Sequence, residues 1–342
     1  MKIINKKIAG LSVIVFIGLS AFAQNNKVSV KAAEVEKTAP KKSAVEKSSV
    51  EKSSVEKPAH EKTTATFKDS KIINAQTTET VKKGMMDFVI SHRFGSIGVA
   101  SNGGKHTLYG LDVVTDIRLG FDFGVTDKLT IGIGRSKQSE FADGWLKYRI
   151  LSQTDDNHIP LSLAIYGDGA YNAQLPTQFF SEAQGNIDFK QKAEYRFSYI
   201  GQLIIARKFG WRFSMELVPT YQHRNFVMGN INPNNGAKET NDLLSVGGGA
   251  RLKLTQRFAI IADYFYTISD FRMNNTNKAF YNPLGLGVEI DTGLHTFHIT
   301  FTNSSGIIEN SFIPNTIDSW LKGGFKLGFS ISRGFSLSHK KK

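Results

Sequence analysis

The chain reads as an all-β protein: an antiparallel, up-and-down transmembrane β-barrel of about twelve strands. Three observations carry that reading. From Met85 onward, stretches such as Asp116-Ile117-Arg118-Leu119-Gly120-Phe121-Asp122-Phe123 put large apolar residues at every second position, with polar or small residues between them. A strand with one oily and one wet face has this period. The junctions alternate between tight and long, as in a barrel with short turns on one side of a membrane and long loops on the other. Finally, no apolar run beyond the N-terminal leader approaches the length of a membrane helix, so a membrane crossing requires a closed sheet in which every backbone group is paired.

The alternation predicts strands over residues 85–94, 113–124, 129–136, 144–151, 159–170, 193–207, 211–223, 242–254, 258–268, 284–292, 294–302 and 321–335. Tight junctions fall after the even strands, at 125–128, 152–158, 208–210, 255–257 and 291–293. Long ones follow most odd strands, at 95–112, 171–192, 224–241, 273–283 and 303–320; only 137–143 is short for its side. This parity places both termini on the periplasmic side with the tight turns and sends the long connections outward.

The faces follow from the parity. Outward rows include Phe88 and Ile90, Ile117 to Phe121, Trp211 to Leu217, Leu284 to Ile290, Phe297 to Phe301 and Phe325 to Phe329, taking alternate residues. Trp145, Tyr148, Tyr195, Tyr199, Trp211, Tyr221, Tyr264 and Tyr266 lie near strand ends, as interfacial aromatic girdles require. The inward rows carry charges of both signs. Arg118, Lys147, Arg149, Arg196, Arg212, Arg251, Lys253 and Lys326 oppose Asp116, Asp122, Asp168, Glu216, Asp263 and Glu289, and His298 shares the lumen. A selective pore lined by charged rings has this composition; so does a narrow lumen closed by its own salt bridges. Gly132, Gly134, Gly247, Gly249, Gly285 and Gly287 fall on the same rows. They leave room for a solute or an inward-folded segment, or they serve strand bending.

The ends of the chain are of a different character. Residues 1–23 read as a secretory signal peptide: Lys2, Lys6 and Lys7 precede an apolar core, and Ala21-Phe22-Ala23 supplies the cleavage pattern. The chain has no Cys, which excludes a lipoprotein anchor, disulfides and thiolate chemistry. Residues 24–66 form a low-complexity linker in which the unit Ser-x-Val-Glu-Lys recurs at 43–47, 48–52 and 53–57. A five-residue period spreads Val45, Val50 and Val55 around a helix, so no apolar stripe forms and a disordered periplasmic tether is expected. It is either a passive spacer or a contact for peptidoglycan or a periplasmic protein. A basic tail, 339–342, closes the chain after the barrel domain 67–338.

The net charge of +13 is concentrated at the ends, because residues 84–339 hold 24 Lys plus Arg against 22 Asp plus Glu. Nucleic acid is therefore not an expected partner, whereas membrane lipid is. No catalytic, metal or cofactor constellation emerges. His295 and His298 are three apart and point to opposite faces of a strand, as do the neighbours Ser91 and His92. Leu284-Gly285-Leu286-Gly287 lies within a strand and is not a nucleotide-binding loop.

The segments Phe67-Lys68-Asp69-Ser70-Lys71-Ile72-Ile73-Asn74 and Asp87-Phe88-Val89-Ile90-Ser91-His92-Arg93-Phe94-Gly95 resemble an uncharacterised family of Bacteroidetes outer-membrane β-barrel proteins. So do Asp116 to Gly120, Thr126-Asp127, Ile131 to Ser136 and Lys147-Tyr148-Arg149, and the resemblance spans about residues 67–335. It implies a barrel fold and an outer-membrane location, without a substrate or catalytic residue. Barrels of this kind commonly end near an aromatic residue; here Phe335 is followed by Ser336-Leu337-Ser338-His339 and three lysines, which puts such an insertion signal inside the chain. The functional expectation is a porin-like conduit for small solutes. A non-conducting scaffold is the alternative, and a barrel enzyme acting on envelope lipids stands behind both.

Overall fold

The computed structural model describes residues 61–63, 65–99, 103–180 and 190–337. The chain divides into two units, 1–55 and 56–342, and all described residues belong to the second. The expected signal peptide, nearly all of the 24–66 linker and the basic tail lie outside the described residues.

Twelve strands close into one antiparallel barrel in sequence order. They are β1 Met85–Ser96, β2 Val114–Gly124, β3 Leu129–Ser136, β4 Phe141–Leu151, β5 Ser162–Asn172 and β6 Phe197–Phe209. The second half comprises β7 Phe213–Arg224, β8 Asp242–Lys253, β9 Phe258–Ile268, β10 Leu284–Asp291, β11 His295–Thr302 and β12 Lys326–Ser336. Closure is made by β1, where Phe88 faces Phe121 of β2 on one side and Arg333 of β12 on the other. No sheet edge is left, so every strand finds its backbone partners inside the sheet.

Three of the tight turns share a local device. In the β2–β3 turn the Thr126 hydroxyl accepts hydrogen bonds from the Lys128 and Leu129 N–H groups at 3.1 and 3.0 Å. Thr255 does the same for Arg257 and Phe258 after β8, and Thr292 for His295 after β10. A short hydroxyl that mimics a backbone acceptor holds each reversal to a few residues.

The strand boundaries move where loops compete with alternation. Expected to begin at 193, β6 begins at Phe197 because Ala193–Arg196 forms a 3-10 turn. Similarly, β12 starts at Lys326 rather than 321. Trp320–Lys322 is a 3-10 turn ending on Gly323 at φ 72°, and that backbone cannot continue a strand.

Outward apolar rows are exposed along the wall, including Ile117, Leu119, Met215, Leu217, Leu286, Val288, Ile299 and Phe301. In water such a surface is costly; against hydrocarbon it is the required one. Tyr148, Tyr199, Trp211, Tyr221, Tyr264 and Tyr266 are likewise exposed. Trp145, assigned to the girdle above, instead turns into the lumen, where its Nε1 donates to Asp122 at 2.7 Å. It shares the parity of the inward residues Asp143 and Lys147, so period 2 rather than its aromatic character sets its side.

Candidate functional site

The interior of the barrel is occupied by two segments of the chain itself, one from each end. From the tight-turn end, residues 66–81 fold inward ahead of β1. They are apolar at Phe67, Ile72, Ile73, Ala75 and Val81, all buried. A tight reversal, with Thr77 N–H donating to Ser70 O and Ile72 N–H to Ala75 O, both at 2.9 Å, puts Ile73 and Asn74 at its tip. From the long-loop end, the β11–β12 connection sends down a short helix, Glu309–Asn315, whose residues through Pro314 are buried.

The tip of the first segment is held by a carboxylate clasp. Asp263 of β9 accepts hydrogen bonds from Asn74 N–H, Asn74 Nδ2 and Ala75 N–H at 2.5, 2.9 and 2.9 Å. The remaining oxygen of the Asn74 amide accepts from Arg93 Nη2 of β1 at 2.7 Å and from Ser304 Oγ at 3.1 Å. One side chain thus ties together two strands and the opposite insert. Charge-assisted bonds of this kind are about twice as strong as neutral ones.

The two inserts meet in the lumen. Lys71 Nζ donates to Ile307 O at 2.9 Å and lies 3.2 Å from the Glu309 carboxylate, to which Gln76 Nε2 also donates. Burial lowers the Lys71 pKa, and the Glu309 charge offsets part of that shift.

Glycines on the wall make the space. A Cβ on Gly249 would stand 2.5 Å from Ile72 Cδ1, and one on Gly285 would stand 2.9 Å from Ile73 Cγ2. Gly132 and Gly134 leave room instead for the Trp145 ring and the Arg118 guanidinium. Of the readings open from sequence, an inward-folded segment is what the glycines at 249 and 285 admit.

The structure places most of the expected lumen residues on this buried wall, and all of them but Glu216 have a hydrogen-bond partner among the described residues. Asp116 receives the Ile307 and Gln138 N–H groups at 3.0 and 2.9 Å, holding the long-loop insert. Arg118 binds Asp143 through both terminal nitrogens, at 2.6 and 2.5 Å, and lies over the Trp145 ring, whose N–H Asp122 receives. Lys147 donates to Ser70 O at 2.7 Å. Asp168 receives Asn310 of the loop helix, and Arg251 pairs with Glu289 at 2.5 Å. Lys326 is fully buried and reaches Asp318 at 2.5 Å. Glu216 is buried with both oxygens lacking a hydrogen-bond partner among the described residues.

Four positions sit elsewhere. Arg212 is exposed in the tight turn between β6 and β7, its guanidinium 4.4 Å from the Trp211 ring; the turn occupies 210–212, so the parity of β7 does not reach it. Lys253 and Arg149 lie half-buried at the tight-turn rim, where Arg149 approaches Glu79 at 3.5 Å. Arg196 is at the opposite mouth, donating to Asn172 O and Gln174 O.

Sequence reasoning passed over Arg93, Asp143, Lys71, Asn74 and Glu309. Arg93 and Asp143 were within reach: Arg93 has the parity opposite to the outward Phe88 and Ile90, and Asp143 shares that of the inward Lys147. The other three lie outside any strand, where period 2 carries no information.

His298 stands between Ser330 Oγ, 3.3 Å from its Nδ1, and Glu289 Oε2, 3.5 Å from its Nε2. These are the residue types of a nucleophile, base and acid. They are also direct cross-strand neighbours on β12, β11 and β10, which register alone brings together. Glu289 is already neutralised by Arg251, and the cavity bordered by His298 and Ser330 is about 50 Å³. That volume suits water rather than a lipid ester. Among the described residues no group of His, Asp and Glu is arranged to hold a metal.

A closed twelve-stranded barrel with a lipid-facing apolar wall and a polar, internally stoppered lumen defines a membrane-bound β-barrel. The chain belongs to the family described as membrane bound beta barrel domain (DUF5777), which it matches over residues 67–335. No curated protein matches it. Among solved structures it is similar to the porin NanC, at 8% identity and a TM-score of 0.44, covering 73% of this chain and 98% of that one. It is similar also to the COG4313 outer membrane channel from Pseudomonas putida F1, at 15% identity and a TM-score of 0.40, covering 75% and 98%. LpxR from Salmonella typhimurium gives 10% identity and a TM-score of 0.35, covering 73% and 99%.

Proposed function

We propose that the protein is a gated outer-membrane conduit for small solutes, held shut by its own two inserts. The supporting observation is the chemistry of the wall behind them. Buried charges are costly in a dry interior, and a permanently sealed core is better made of apolar residues. This wall keeps Glu216 without a hydrogen-bond partner among the described residues, and strings Asp263, Asp168, Lys147 and the Arg251–Glu289 pair around the lumen. Such a lining suits a passage that is wetted when the inserts withdraw. On this reading the tight turns face the periplasm, and residues 24–66 form the tether leading to the stopper.

The test is conductance in planar bilayers for the full chain and for a variant lacking residues 66–80. The full chain is expected to be largely closed and the deletion variant to give stepwise currents. A deletion variant that still migrates as a folded barrel without boiling, yet passes no current, overturns the proposal.

One observation favours a second reading, a permanently closed scaffold. The loop helix buries Phe312 and Ile313 against Ile200, Ile204, Val218 and Phe265, an apolar contact of core character. The same deletion variant discriminates, since a scaffold stays silent. Its partner on this reading is peptidoglycan or a periplasmic protein bound through residues 24–66. Equal capture with and without that segment rules the segment out as the contact.

A further inference from the structure

At the long-loop mouth, above the loop helix, lies a pocket of about 340 Å³ that the lumen network does not use. That is a size at which small-molecule sites begin. Its walls include two aromatic pairs: Phe179 with Phe226, ring centroids 6.1 Å apart, and Phe271 with Phe280 at 5.7 Å. Its floor is Pro314 and Asn315, the C-terminal end of the loop helix.

The charges around it do not balance. Glu239 is the one carboxylate among the described lining residues, and it is bound by Arg224 at 3.1 Å and by Asn230 at 3.1 Å. Among the described residues, two further cations nearby have no carboxylate partner. Lys278 lies on the rim, 5.4 Å from the Phe280 ring. Arg272 is buried beneath that ring at 5.0 Å, donating only to the backbone oxygens of Ile313 and Tyr281 among the described residues. Burial, aided by the charge of Arg224, pushes Arg272 down to about 10. Arg272 does not line the pocket; its charge adds positive potential behind the aromatic wall, which favours an anion on the other side.

We propose that this pocket binds a small aromatic carboxylate, its ring between the phenylalanine pairs and its anionic group toward Lys278, with Arg272 adding positive potential from behind the Phe280 ring. Flat aromatic walls favour a planar apolar body, and the uncompensated cations favour a negative end. The floor being part of the long-loop insert, an occupant touches one of the two segments that fill the lumen. The inference rests on the conduit reading only in naming what is carried; the binding itself stands apart from it.

The test is isothermal titration of the full-length protein in detergent with benzoate and 2-naphthoate, against benzyl alcohol and acetate. Saturable binding of the aromatic acids is expected, at least about tenfold tighter than of either control, a difference that one charge or one stacked ring supplies. Lys278→Gln, on an exposed loop, is expected to weaken the acids about threefold to fivefold and leave benzyl alcohol unchanged. Phe280→Leu is expected to weaken them by about threefold to tenfold. Equal binding of acetate and benzoate removes the role of the rings, equal binding of benzyl alcohol removes that of the cations, and either result overturns the site. Conductance in the stopper-deleted barrel without binding overturns the pocket alone. Binding without conductance overturns the conduit and leaves the pocket.

Discussion

Lys71 and Glu309 are 238 positions apart in the chain and 3.2 Å apart in the lumen, where they join the segment rising from one end of the barrel to the loop descending from the other. Glu309 is buried, whereas Lys71 keeps some exposure. The joint is therefore asymmetric: removing the lysine strands a buried acid, and removing the acid leaves a cation with access to water. Glu309→Gln is expected to weaken closure by about 1.5–3 kcal/mol, the range for a hydrogen bond to a charged group. In single-barrel recordings that is a rise of roughly tenfold to a hundredfold in the ratio of open to closed time. An unchanged value removes this joint from the closing mechanism.

The same lysine makes closure dependent on pH. Its pKa is lowered in the closed state by burial, with Arg118 and Arg93 adding to the shift and Glu309 opposing it. A lowered closed-state value means that the closed form gives up its proton first. Closure is therefore penalised while Lys71 is charged in both states, and the penalty fades as pH rises through the closed-state pKa toward the ordinary lysine value. Open probability is expected to fall as pH rises toward the ordinary lysine value of about 10.4, and Lys71→Met is expected to flatten that dependence.

Asp263 receives three donors from two consecutive residues, so its isosteric amide is a poor substitute. Asp263→Asn replaces one acceptor oxygen by a donor facing Asn74 or Ala75. A loss of about 1.5–3 kcal/mol in the attachment of the tip is expected. Hydrogen exchange at the Asn74 and Ala75 amides reads it directly: acceleration by roughly tenfold or more is expected, with exchange in β9 itself unaltered. Acceleration throughout the barrel instead means that Asp263 holds up the wall rather than the insert.

Two glycines separate the stopper from the wall. A methyl on Gly285 meets Asp263 Oδ1 at 2.6 Å and Ile73 at 2.9 Å, whereas one on Gly132 meets the Trp145 ring at 2.2 Å. Gly285→Ala is expected to expose residues 66–80 to protease while the barrel keeps its unboiled gel mobility. Gly132→Ala is expected to destabilise the barrel by about 1–3 kcal/mol, the usual cost of overpacking, and to lower the temperature at which that mobility is lost. If both variants behave alike, the two packings are not independent.

Arg251 and Arg212 test what lumen burial means for a charge. Arg251→Gln leaves Glu289 buried beside His298 without the guanidinium that donates twice to its Oε1 and is expected to cost about 3–5 kcal/mol. Arg212→Gln, exposed on its turn, is expected to leave thermal stability and conductance within error of the native protein.

Much of this molecule was legible along the chain. All twelve strands, the tight-turn parity and the outward rows follow from period 2, because a barrel wall in lipid must be apolar on one side at every strand. The parity rule also carries to residues whose chemistry points the other way, and Trp145 shows it prevailing over aromatic character. It fails at Arg212, where the chain has left the strand, and around Lys253 and Arg149, where the strand reaches the rim.

What the chain by itself determined is thus the wall: strand number, order, facing and the charged character of the interior. Only the tertiary structure decided what fills that interior. Residues 66–81 and the loop helix have no repeating pattern, and their positions depend on long-range contacts such as Asn74 with Asp263 and Lys71 with Glu309. Those contacts become possible once closure of the sheet has brought a wall glycine, a clasping carboxylate and two unrelated segments into one volume.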